Sequence, residues 1–182
     1  MSARDFEIYL LQTMACDDRL RNRELQRLNV SAEQAERTKR EVSDATRLAP
    51  GQLDNLLRIL GPDAASERLQ DDGHAVVRYI FDSWPTFTFV VTANELGIWI
   101  DARFVRTTGE SVTMPTHPRK LEPWLFSLDE ISDHFGPLLS GDSWPPFSEW
   151  SVPTSEGNYD LIFSWGLLQT APKLETAPQR EK

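Results

Sequence analysis

Apolar residues recur at a spacing of four at Phe6, Leu10 and Met14, with Leu20 and Leu28 further on, and this predicts a helix that starts behind Ser2 as its N-cap. The stripe thins over 17–23. A second helix is predicted from Ser31, whose hydroxyl caps it while Gln34 answers back, and it runs through Ala35, Val42 and Ala45. Pro50 breaks the chain or opens a third helix, in which Leu53, Leu56, Leu57 and Leu60 mark the i, i+3, i+4, i+7 face of a buried element. Gly61-Pro62 stops it. Residues 1–62 therefore read as a region of two or three helices.

From His74 the period falls from 3.6 to 2, the mark of a sheet. Ala75, Val77, Tyr79 and Phe81 share one face of a first strand, and Phe87, Phe89, Val91 and Ala93 one face of a second. Asn94-Glu95-Leu96-Gly97 turns the chain into a third, carrying Ile98, Ile100, Ala102 and Phe104. Such short connections make antiparallel neighbours, because a parallel crossover needs a dozen residues or more. A fourth short strand is expected at 111–114. Ser127-Leu128-Asp129-Glu130 is a capping box that opens a helix with Leu128, Ile131, Phe135 and Leu138 or Leu139 on one side, and Pro137 should kink or end it. Tyr159, Leu161, Phe163, Trp165 and Leu167 alternate as a last strand. The expected fold is α+β: the helical region, then over 63–170 a mostly antiparallel sheet of about five strands with a helix packed on it, then a disordered tail over 171–182.

Charge changes this picture by its location. Of 182 residues, 28 are Asp or Glu and 19 are Lys or Arg, a net charge of −9. Residues 1–50 hold nine of each sign, so the whole excess lies beyond them. No Lys or Arg occurs between Lys120 and Lys173, where eight acids and four of the six Trp fall. This balance argues against direct nucleic-acid binding, which needs cations for the phosphates. No apolar run is long enough to span a bilayer, and the run over 6–11 is too short and acidic for a signal-peptide core. A lone Cys16 fits a reducing compartment, so a cytoplasmic location is expected.

Candidate chemistry is sparse. Neither GxGxxG nor GxxxxGK[ST] occurs, and one Cys with three His cannot make a short-spaced zinc site, so no cofactor and no metal are expected. His74, His117 and His134 could still meet Asp82, Asp101 or Asp133 in a mixed metal site, and Cys16 could be a nucleophile with His117 or His134 as its base. Glu149 and Asp160, flanked by Trp150, form a candidate carboxylate pair for a small hydrolase or carbohydrate-binding domain. The window Trp144–Pro153 joins three large aromatics to three prolines, which argues against an ordinary central strand.

The leading expectation is a non-enzymatic protein-binding protein, an acidic inhibitor of the immunity type. It would neutralise a basic partner, such as a toxin or a nuclease, through Asp142, Trp144, Phe147, Glu149, Trp150, Glu156 and Asp160. Beside it stands a self-associating assembly protein. Residues 17–47 carry seven Arg and one Lys on helices with a thin apolar stripe, which a second copy could cover in a homodimer.

Overall fold

Ser2 opens the first helix with a reciprocal cap: its backbone N–H donates to Asp5 Oδ2 at 2.7 Å and its hydroxyl accepts from the Asp5 N–H at 3.4 Å. In the computed structural model, residues 1–47, 51–62, 64–68 and 73–174 are described. They form five α-helices and nine strands in two antiparallel sheets, an α+β fold in which helices precede sheets. Among the described residues no helix is long and apolar enough to cross a membrane.

The chain divides into two units, 1–110 and 111–182. The division therefore falls well beyond the expected boundary at 62, because the helices share a core with the first strands. In the first unit, helix α1 (Ala3–Gln12) is followed by α2 (Asp18–Arg27), α3 (Ala32–Ala45) and α4 (Gln52–Leu60). The thinning over 17–23 is thus a helix boundary, where Asp17 accepts from the Leu20 N–H at 2.8 Å and starts α2. Among the described residues of this unit the helices number four, where two or three were expected. Ser31 and Gln34 make the predicted capping box on α3. The expected role of Pro50 lies outside the described residues; Gly51, at φ 81°, precedes α4.

Strands β1 (Ala65–Arg68), β2 (Ala75–Tyr79), β3 (Phe87–Ala93) and β4 (Trp99–Arg106) lie in that order in the first sheet. Phe87, Phe89, Val91 and Ala93 are all buried, as their alternation predicts, and each such burial stabilises by roughly 1.5–3 kcal/mol for the larger side chains. Phe6 of α1 packs against Phe81, Phe89 and Trp99, and Arg106 lies over the Phe87 ring at 4.0 Å. Ala35 and Val42 of α3 are fully buried, and α3 packs on α1. The thin apolar stripe of these helices is therefore matched within the unit. Buried Gln52 ties α4 to the sheet, donating to Thr46 O at 2.6 Å and accepting from the Trp99 N–H at 3.0 Å.

In the second unit, residues 111–114 form no strand. Val112 and Met114 instead pack as irregular chain on a core of Leu121, Phe126, Ile131, Val152, Tyr159, Leu161, Phe163 and Leu168. Helix α5 (Leu128–Phe135) starts at the predicted Ser127–Glu130 box. It ends at Gly136, φ 86°, before Pro137 can kink it, so Leu138 and Leu139 lie beyond the helix. Strands β5 (Leu139–Trp144), β6 (Phe147–Thr154), β7 (Gly157–Ser164) and β8 (Leu167–Leu168) follow in sheet order, with β9 (Lys173–Leu174) also paired to β7. The predicted last strand breaks at Trp165, whose φ of 53° turns the chain into β8. Residues 173–174 of the expected tail pair with β7, and 175–182 lie outside the described residues.

Candidate binding face

The proline-rich window folds as a hairpin, and β6 is an interior strand between β5 and β7. That corrects the expectation of no ordinary central strand. Pro145 and Pro146, joined by a cis peptide bond, form the loop between Trp144 and Phe147, while Pro153 sits at the far end opposite Asn158. The missing N–H groups therefore fall at the ends of the ladder, and the stretch between them pairs normally.

Register decides which side chains share a face, because directly paired residues of an antiparallel ladder point the same way. Trp150, Val152, Tyr159, Leu161 and Phe163 form one set, facing the core. Trp144 pairs with Phe147, Glu149 with Ile162, Ser151 with Asp160 and Leu139 with Ser151, which puts these residues on the opposite, outer face. Trp144 is 52% exposed and its ring lies 6.1 Å from that of Phe147, while Leu139 is half exposed. Ser151 donates to Asp160 at 3.1 Å. Ser140 stands opposite Trp150 and Ser143 opposite Ser148, so both Gly141 and Asp142 stand opposite Glu149 in a bulge. Asp142, Glu149 and Asp160 are all exposed.

Five of the seven predicted residues are thus gathered: Asp142, Trp144, Phe147, Glu149 and Asp160. Two are not. Trp150 packs on the core, and its indole Nε1 is buried without a hydrogen-bond partner among the described residues. Glu156 lies in the turn at the other end of β6, about 23 Å along the strand from Phe147 at ~3.3 Å per residue. It accepts from the Tyr159 hydroxyl at 3.1 Å and lies 3.7 Å from His117 Nε2. Burial, then this hydrogen bond, raise the Tyr159 phenol above its ordinary value, with Arg119 acting the other way.

Other chemistry gains little. Glu149 and Asp160 share the outer face, but Trp150 lies on the opposite one and cannot flank them as a sugar platform. Among the described residues no three His, Cys, Asp or Glu side chains are grouped to hold a metal ion. Cys16 is buried, and burial raises its thiol despite nearby Arg21, the reverse of an activated nucleophile.

Sequence reading missed a polar cluster in the first unit. A cavity of about 380 Å³ is lined by Arg4, Glu7, Arg27, Tyr79 and Asp82 among others. Glu7 is 4% exposed and accepts from the Ser83 N–H at 2.6 Å. Arg27 donates to Glu24 at 2.7 Å and to Ser83 Oγ at 2.7 Å, and lies 3.7 Å from Glu7. Arg4 donates to the Leu28 carbonyl. These groups answer one another, and the cluster fastens α1 and α2 to the β2–β3 connection. Its one signal in the sequence is an acid set inside the apolar run Phe6-Glu7-Ile8.

Comparison with known proteins finds no matching family model, no matching curated relative and no matching solved structure.

Proposed function

We propose that this chain is a non-enzymatic protein-binding protein, an acidic inhibitor of the immunity type, and that it takes a basic partner on the outer face of the β5–β9 sheet. The observation that supports this is a half-exposed Trp144 beside Phe147, on the face that carries Glu149 and Asp160 with Asp142 at its edge. The surrounding 52 residues, 121–172, contain no Lys or Arg. Lys173 stands opposite Asp160 at the margin.

Each component has a separate task. The excess of carboxylates draws a basic protein in from a distance and repels acidic ones, an effect that salt screens. The aromatic pair supplies the short-range anchor, since Trp at an interface centre governs how long a complex lasts. A toxin or nuclease with a basic active-site cleft is the partner class this chemistry fits. The lone, buried Cys16 is in keeping with a reducing compartment, and the reading places the protein in the cytoplasm.

The test is a pull-down at low and at high salt with the natural chain, Asp142→Lys/Glu149→Lys and Trp144→Ala. A strongly basic protein should be retained at low salt, released at high salt, lost with the charge reversal and weakened by Trp144→Ala. Retention that is indifferent to both substitutions would refute the outer face, and no basic protein at any salt would refute the inhibitor reading.

A further inference from the structure

We infer that the basic partner binds by adding an extended strand to the free edge of β5, an inference that rests on the outer face being the docking surface. The two edges of the sheet differ. Beyond β7, the edge is closed by β8 and β9, and the chain over 124–128 lies along β8. There Trp124 N–H donates to Leu168 O at 2.8 Å, Leu168 N–H to Phe126 O at 3.0 Å, and Leu128 N–H to Gly166 O at 2.9 Å. At the opposite edge, β5 pairs only with β6 among the described residues, and every residue from Leu139 to Trp144 is exposed. In an antiparallel ladder alternate residues turn their N–H and C=O groups away from the partner strand, so β5 offers a row of donors and acceptors outward.

Proteins guard such edges with Lys, Pro or bulges. The strand Leu-Ser-Gly-Asp-Ser-Trp has no Lys, Arg or Pro, and its guards are the bulge at Gly141-Asp142 and the carboxylate of Asp142. A negative guard repels acidic strands and admits basic ones. It also disfavours a second copy: two β5 edges paired antiparallel would bring together the Asp142 and Glu149 of both outer faces, with no Lys or Arg from 121–172 beside them, since Lys173 stands across β7 opposite Asp160. The occupant that fits is an extended segment of the partner in which every second residue is Lys or Arg, so that the cations share the outer face with Asp142 and Glu149 while the intervening residues turn to the other face. Main-chain hydrogen bonds then supply affinity and the side chains supply selectivity.

The probe is a synthetic ten-residue peptide alternating Lys with Val or Thr, tested against the full chain by calorimetry and by hydrogen exchange at the amides of 139–144. Two further peptides carry N-methyl groups on the odd or on the even residues. The unmodified peptide should bind with salt-sensitive affinity and slow exchange at alternate amides of β5. One methylated peptide should bind at least about tenfold more weakly and the other nearly as well, because only one edge of the added strand faces β5. Equal binding of both methylated forms without slowed exchange at β5 would overturn strand addition and leave the outer face standing. No binding of the unmodified peptide, while the natural chain still retains a basic protein in the pull-down, would also overturn strand addition alone. Slowed exchange at β5 on raising protein concentration without peptide would assign the edge to a second copy instead.

Discussion

Gly141 and Glu149 meet so closely across β5 and β6 that a Cβ on the glycine would lie 3.1 Å from Glu149 Cβ and 3.2 Å from its carbonyl oxygen. No backbone torsion demands glycine here; the demand is for space, as expected where two strands close on a bulge.

Gly141→Ala should therefore destabilise the second unit by about 1–3 kcal/mol, since the atoms it meets are largely backbone and cannot swing away. Urea unfolding followed by far-ultraviolet dichroism reads the loss. A neutral result would show that β5 can lift off β6 without cost.

Arg27 balances Glu7 and Glu24, two nearly buried carboxylates, from a position that is itself 44% exposed. Arg27→Met should cost about 1–3 kcal/mol, less than for a wholly buried pair because water reaches the arginine. Glu7→Gln keeps an acceptor for the Ser83 N–H and should recover part of the loss in the double variant. Strict additivity of the two substitutions would refute the coupling.

Ser127 is buried at the start of α5, accepting from the Glu130 N–H at 3.3 Å while the Glu130 carboxylate accepts from the Ser127 N–H at 2.9 Å. Ser127→Ala should cost about 1 kcal/mol and Ser127→Asp more, because the Ser127 hydroxyl donates to the Glu130 carboxylate at 3.0 Å and a buried Asp would set a second carboxylate against it. The melting temperatures of the two variants check the order.

Tyr159 should ionise later than an unfolded tyrosine. Burial is the main cause and the bond to Glu156 the second, so the neutral phenol is favoured in the folded chain. A raised folded value contributes stability that is fully present below pH ~10 and is lost as pH rises through that value. Burial raises Tyr9 as well, so ultraviolet titration should lose one of two late components in Tyr159→Phe and show that component earlier, though not at the ordinary value, in Glu156→Gln. Ionisation of Tyr159 at the unfolded value would refute the shift.

Trp144 is 52% exposed, whereas Trp84, Trp124 and Trp165 are buried. Acrylamide quenching of tryptophan emission should fall in Trp144→Phe, and stability should change by no more than about 0.5 kcal/mol. Undiminished quenching would mean that another indole carries the exposure.

What the sequence by itself determined is local. The caps at Ser2, Ser31 and Ser127 were legible because each joins a side chain to a backbone group three residues away. The alternation in β2 and β3 was legible because one buried face imposes a period of two, and the acid-rich, cation-free window is a property of composition. In β4 only Ala102 and Phe104 keep the expected face, because a register shift pairs Trp99 with Ala93 and leaves Ile100 53% exposed. Tertiary structure decided what depends on pairing between distant residues: two sheets, a division after Glu110, an interior β6, and an acid at Glu7 whose partners stand on α2 and beyond β2. The candidate site shows the reason most directly. In one extended strand Trp144 and Trp150, six residues apart, would share a face. The two-proline hairpin instead pairs Trp144 with Phe147, an odd step away, and so turns Trp144 outward while Trp150 goes to the core.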